Sequence, residues 1–267
     1  MNPEARPPIG PGQIQAVLFD CDGVLVDTEP LGRNILLEHL RSYPGCSNSL
    51  NENDLSSIWP LGAPLGPSLA RAQALLKQKP DLVPKAILSQ ESWPLELEVS
   101  IRKEMGQQLS VRSYAISGMP DLLARLYNAK TCLIGVCSNG PISKMRQSLR
   151  QDDFPGLNWS NVFSGHAINS FKPDPGLLYF AAQSLGLEVR NILLIDDSDA
   201  GIAAAAAAGM PVCAFGCAFG CAFGHQAETS TERLKTDCTR PKAHLMASDA
   251  QELSLVLGSL GLLTGRT

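Results

Sequence analysis

Four short apolar runs, each followed by a helix-like pattern, constrain this chain more than any other feature of it. They are Ala16–Phe19 (AVLF), Cys132–Cys137 (CLIGVC), Asn191–Ile195 (NILLI) and Pro211–Phe215 (PVCAF), with a weaker fifth at Asn161–Ser164 (NVFS). Short runs unbroken by polar residues read as strands buried on both faces. Their alternation with helical patterns predicts an α/β fold, a Rossmann-like parallel sheet with helices on both faces. The helices between them are expected at Met119–Asn128, Pro141–Arg150, Pro175–Leu185 and Ala200–Ala208. A last helix, Ala250–Leu260, follows the polar, turn-rich stretch His225–Pro241.

More than a hundred residues part the first two runs, where one helix and connections of ~2–6 residues would suffice. The excess carries helical patterns at Leu31–Leu40, Ser68–Lys77, Val83–Gln90 and Leu95–Leu109, with Pro/Gly-rich joints at Trp59–Pro67 and Glu91–Pro94. The expected organisation is an α/β core from residues 1–29 and 113–267, with a helical cap domain, 30–112, inserted after the first strand.

Composition narrows the class. Hydrophobic residues make up 44% and charged residues 18% of the 267, a globular balance. Net charge is −4 and Lys/Arg are unclustered, so neither a nucleic acid nor an anionic membrane is expected as a partner. Residues 1–13 hold four prolines and no apolar stretch, and no run nears the ~18 apolar residues of a membrane span. A soluble, cytoplasmic protein is expected.

Three of the eight cysteines, Cys213, Cys217 and Cys221, belong to a tandem CAFG repeat over 213–224 that ends on His225. The spacing C-x3-C-x3-C-x3-H could pass for a metal site. Duplication of one tetrapeptide explains it without ligands, and the close C-x2-C pairs of zinc sites are absent from it. The repeat is expected to be a loop extension. His39, His166 and His244 stand in no carboxylate or cysteine pattern and are expected to be structural or exposed.

Ligands of open parallel sheets bind beyond the carboxyl ends of the strands. Here the first run ends in Asp20-Cys21-Asp22-Gly23, the second in Ser138-Asn139-Gly140 and the fourth in Asp196-Asp197-Ser198. Lys172-Pro173-Asp174-Pro175 precedes a helix between them. Each alone suits a turn. Four carboxylates gathered at one sheet edge repel one another, and a hard cation with oxygen ligands relieves that; magnesium fits.

In these motifs the sequence resembles the haloacid dehalogenase superfamily, in its capped subgroup of phosphoglycolate-phosphatase-like and beta-phosphoglucomutase-like enzymes. FDCDGVLVDTEP (19–30), VCSNG (136–140), KPDP (172–175) and LLIDDSDAGIAAAAAAGM (193–210) match in order, and ISGMPDLLARL (116–126) resembles the return from cap to core. The resemblance covers most of residues 15–215. It implies a Mg²⁺-dependent phosphatase that acts on a small phosphate monoester through an aspartyl phosphate. Asp20 would attack phosphorus. Asp22 would protonate the leaving oxygen and then activate water. Asp20, the Asp22 carbonyl and Asp197 would hold the metal, with Asp196 as a further ligand or behind the ligands. Ser138 and the Asn139 backbone amide would bind phosphoryl oxygens, and Lys172 would neutralise both phosphate and Asp20.

Two alternatives stay open. Sugar phosphomutases of the family carry a His where Gly32 stands, and an Arg where Leu65 stands if Gly62 matches their cap glycine. Both departures favour hydrolysis over isomerisation. A non-catalytic phosphate-binding module would be expected to have lost Asp20 or Asp22, and both are present. The phosphate ester itself and the oligomeric state are not legible in the residues.

Overall fold

The structure, a computed structural model, describes residues 9–43, 50, 52–59, 65–78, 93–216 and 243–263. The expected features at Gly62, Val83–Gln90, Cys217, Cys221 and His225–Pro241 lie outside the described residues. The chain divides into two compact units, Met1–Val26 with Ala115–Thr267, and Asp27–Tyr114. The cuts fall a few residues from the expected 29/30 and 112/113. Backbone pairing places them: Val26 pairs antiparallel with Ala115, Ile116 N–H donates to Leu25 O at 2.9 Å, and Asp27 N–H donates to Tyr114 O at 2.8 Å.

The first unit is built on six strands, β1 (Ala16–Phe19), β2 (Leu133–Ser138), β3 (Val162–Ser164), β4 (Ile192–Asp196), β5 (Val212–Phe215) and β6 (Leu245–Ala247). Their order is β3-β2-β1-β4-β5-β6 and every neighbouring pair is parallel. β1 and β4 are buried throughout. Alternation then sends Ala16, Leu18, Ile192 and Leu194 into one apolar cluster with Leu178, Ala181, Ala204 and Ala205, while Val17, Phe19, Leu193 and Ile195 are buried on the opposite face. β6 is unanticipated. It is three residues long and sits at the sheet edge, too short for any periodicity to appear.

Among the described residues the helices of the second unit are α1 (Glu29–Ser42), α2 (Glu52–Ile58), α3 (Leu65–Lys77) and α4 (Leu95–Val111). Leu36, Leu40, Leu55, Leu69, Leu76 and Ile101 share its core. α2 is also unanticipated, because ENDLSSI offers only Leu55 and Ile58 as apolar positions. His39 is structural, and its carboxylate partner comes from far along the chain. Its Nε2 lies 2.7 Å from Glu104 Oε2 and its Nδ1 lies 3.3 Å from Ser100 Oγ, which joins α1 to α4. Gly32 is buried under Trp59 and Met105, whose atoms would lie 3.1–3.3 Å from a Cβ there.

The remaining helices belong to the first unit: α5 (Met119–Ala129), α6 (Ile142–Ser148), α7 (Gly165–Ile168), α8 (Gly176–Leu185), α9 (Asp199–Ala208) and α10 (Ala250–Ser259). The alanine run of α9 buries Ala204, Ala205 and Ala208. Small side chains let that helix lie close to the sheet. Among the described residues no helix is long and apolar enough to cross a membrane.

Candidate active site

The chain order reverses around β1: β2 and β3 lie to one side, β4 to β6 to the other. Such a switch point is where open α/β sheets bind ligands. Phe19 is in register with Val136 on one side and Ile195 on the other. Asp20 N–H extends the ladder by donating to Ile195 O at 2.8 Å. Asp20 therefore follows β1 at the level of Cys137 and Asp196.

Lys172 ties these strand ends together. Its Nζ donates to Asp20 Oδ1 at 2.7 Å, Asp196 Oδ2 at 2.7 Å and the Cys137 carbonyl at 2.6 Å. An ammonium has three donors, so all are used. Asp196 is equally committed: its Oδ1 accepts from Ser198 N–H at 3.0 Å and Ser198 Oγ at 2.6 Å. Its carboxylate lies only 2.0 Å from where a Cβ on Gly201 would be, so only glycine fits there.

Asn139 has a role that its motif did not suggest. Its Nδ2 donates to Lys172 O at 3.1 Å and its Oδ1 accepts Lys172 N–H at 2.8 Å. The amide thereby grips the backbone that carries the lysine. Ser138 is buried, and its hydroxyl accepts Gly140 N–H at 3.2 Å.

Asp22 meets a residue absent from the sequence reading. Lys144 Nζ donates to both of its carboxylate oxygens, at 2.9 and 2.8 Å. Asp197 packs against the backbone of the 20–23 loop, where Gly23 has φ +86° and a Cβ would stand 2.1 Å from Asp197 Oδ2. Among the described residues, the four aspartates do not form a ready-made cage of three or more ligating side chains. Asp22 and Asp196 are turned to lysines instead.

Burial pushes the Asp20 carboxyl up to about 7, against the pull of Lys172 and with the help of Asp196. Burial opposes the charge on Lys172, yet Asp196 and Asp20 hold its pKa well above the ordinary lysine value. Asp20, Asp197 and the Asp22 carbonyl offer oxygen ligands. Magnesium binds through one or two carboxylates and keeps several waters, so the residues fit it. The neighbouring thiols offer no rival nucleophile. Burial holds Cys21 well above its ordinary value and Cys137 at about 12.

This fold and strand-end cluster agree with the family model for haloacid dehalogenase-like hydrolases, which matches residues 14–209. The chain belongs to that family and is a hydrolase. The 6-phosphogluconate phosphatase of Escherichia coli is 30% identical over 207 residues, 76% of this chain and 83% of that protein. The phosphoglycolate phosphatase of Rhodospirillum rubrum is 28% identical over 216 residues, 74% of this chain and 78% of that protein. A crystal structure of a family hydrolase from Deinococcus radiodurans R1, with bound phosphate and sodium, superposes with TM-score 0.69 at 25% identity, covering 96% of this chain and all of that one.

Proposed function

We propose that this chain is a magnesium-dependent phosphatase that hydrolyses a small phosphate monoester through a phosphoenzyme on Asp20. One observation carries the reading: a buried lysine is shared between Asp20, at the switch strand, and Asp196. Lys172 holds Oδ1 of Asp20 and so fixes the direction of its carboxylate. A carboxylate held this way is an aimed nucleophile. As the Asp20–phosphorus bond forms, the bond to the leaving oxygen breaks and Asp22 supplies that oxygen's proton. Asp22 then takes a proton from water, the water oxygen attacks phosphorus, and Asp20 is released with phosphate.

Asp20, Asp197 and the Asp22 carbonyl would hold magnesium, which supplies charge neutralisation between the attacking carboxylate and the phosphate. Asp196 stands behind these ligands and positions Lys172. Ser138 and the Asn139 backbone amide are assigned to the phosphoryl oxygens. Lys172 reaches the phosphate only by exchanging one of its three present partners.

The helical unit favours hydrolysis over mutase chemistry. Position 32 is packed under Trp59 and Met105, and Leu65 is buried in the same core. A histidine and an arginine at these places would be enclosed. Both curated relatives act, by their names, on phosphorylated carboxylic acids. Phosphoglycolate and 6-phosphogluconate are therefore the first substrates to try. A cytoplasmic setting suits the free thiols of Cys21, Cys132, Cys137 and Cys213.

The test is acid-quenched phosphoenzyme and steady-state release with wild type, Asp20→Asn and Asp22→Asn, with and without chelator. Asp20→Asn should trap no phosphate, and chelator should abolish turnover. Asp22→Asn should lose ~10²–10⁴-fold on alkyl phosphates and less on aryl phosphates, which depart without a proton. Covalent phosphate on Asp20→Asn, or full activity in excess chelator, would falsify the assignment.

A further inference from the structure

The phosphatase reading gives Asp22 two proton transfers, and the structure adds a residue that governs where Asp22 stands. Lys144 grips both of its oxygens, at 2.9 and 2.8 Å, from a position 122 residues away in the chain. The contact is built into the fold. Lys144 and Ser148 lie four residues apart on α6 and so share one face of it. Ser148 Oγ lies 3.9 Å from Cys21 Sγ, and Cys21 is the residue between Asp20 and Asp22. The same hydroxyl donates to Lys144 O at 3.1 Å. Thus one helix face addresses two successive residues of the nucleophile loop, the thiol by packing and the carboxylate by charge.

The two lysines divide the loop between them. Lys172 serves Asp20 and Asp196, with its side chain only 2% exposed; Lys144 serves Asp22, at the half-open rim, with its side chain 31% exposed. The pair is partly covered, at 31% and 23% side-chain exposure, so its contribution to folding is separated from its effect on rate by the melting temperatures below. A two-point grip fixes the rotamer of a short side chain. Asp22 needs that because the leaving oxygen and the attacking water must both come within hydrogen-bond reach of the same carboxyl.

We infer that Lys144 is a positioning residue for Asp22: it fixes the rotamer of the ionised carboxylate that takes the proton from water, and one oxygen leaves the ammonium to carry the proton given to the leaving group. The inference rests on the two-step phosphatase reading. Lys144 touches neither reacting atom and acts through Asp22 alone. An arginine keeps a two-point donor at this place, whereas methionine keeps only the length.

The experiment compares wild type, Lys144→Met, Lys144→Arg, Asp22→Asn and the Lys144→Met/Asp22→Asn double variant on an alkyl phosphate and on nitrophenyl phosphate. Acid-quenched phosphoenzyme and melting temperature are measured throughout. Lys144→Met should lower kcat on the alkyl ester by about tenfold or more, with a clearly smaller loss on the nitrophenyl ester, whose departure needs no proton. With the nitrophenyl ester its phosphoenzyme should accumulate, Lys144→Arg should recover much of the loss, and the double variant should be no slower than Asp22→Asn. Equal losses on both esters, losses that multiply in the double variant, or wild-type kinetics in Lys144→Met would each overturn the inference. A large drop in melting temperature that accounts for the lost activity, repeated in a Lys144→Gln variant, would likewise overturn it in favour of a folding role. If wild type itself forms no phosphoenzyme, the phosphatase reading falls first and this inference with it. A wild-type phosphoenzyme beside an unaffected Lys144→Met sinks the Lys144 role alone.

Discussion

Replacing Gly23 by alanine tests how Asp197 is held, because the structure supplies its own control. Gly23 has φ +86° and Gly186 has φ +68°, so an alanine at either enters the left-handed region. That conformation costs an L-residue about 1–2 kcal/mol. In a chain of this size each kcal/mol lowers Tm by about 2–4 °C, so both variants should melt a few degrees early. Only one of them meets an obstacle. Nothing lies within 4 Å of a Cβ on Gly186, whereas at Gly23 Asp197 Oδ2 would be 2.1 Å away and Cγ 2.5 Å. To reach ordinary contact at 3.4 Å the carboxylate must retreat by roughly 1.3 Å. Displacements of about an ångström in a catalytic group can cost ~10²-fold in rate. Gly23→Ala should therefore need far more Mg²⁺ for half-maximal activity and stay slow at saturation. Gly186→Ala should match wild type in both. The assay is a Mg²⁺ titration of initial rates alongside thermal melting. If Gly23→Ala and Gly186→Ala share one melting shift and both keep the wild-type Mg²⁺ midpoint and kcat, then Asp197 does not hold the metal where this reading puts it.

Two further substitutions probe the scaffold. Asn139→Ala removes both hydrogen bonds to the Lys172 backbone, each worth about 0.5–1.5 kcal/mol net. Denaturant unfolding should show a loss of that order, and kcat should fall by more than stability alone explains; unchanged kcat would mean that Lys172 does not depend on the amide. Gly32→His drives an imidazole against Trp59 and Met105, an overpacking worth about 1–3 kcal/mol. It should lower Tm without producing isomerised sugar phosphate, and isomerisation by this variant would refute the account of the helical unit.

What the residues disclose on inspection depends on how far apart interacting groups lie in the chain. β1 and β4 are legible because AVLF and NILLI are apolar without interruption, which follows from burial on both faces. Asp20, Asp22, Asp196 and Asp197 stand out because each follows such a run. Their pairings are another matter. Lys144 has the appearance of one solvated residue in ISKMRQS, and only the folded chain brings it to Asp22. The motif points to the backbone amide of Asn139 and gives no hint that its side chain holds the Lys172 backbone, 33 residues away. Asp196 and Asp197 are neighbours of identical chemistry, yet alternation along β4 and the turn after it give them different partners. In the same way His39 finds Glu104 across 65 residues, a distance at which no local spacing carries information.

The paired strands at the junction of the two units bear on how such a protein changes over time. Val26 is bridged to Ala115, and Asp27 is hydrogen-bonded to Tyr114, so the cut ends of each unit are already joined to one another. To the α/β unit, everything from Asp27 to Tyr114 amounts to a tight turn, because the closure entropy that a long excursion would impose is met by the inserted unit's own fold. Drift in the helices, lengthening of their loops or replacement of the whole insert need not disturb the register of β1, on which Asp20 depends. Asp20, Lys144, Lys172 and the oxygens assigned to the metal all come from the other unit. A lineage can therefore rebuild the inserted unit and inherit unchanged the residues assigned to its chemistry.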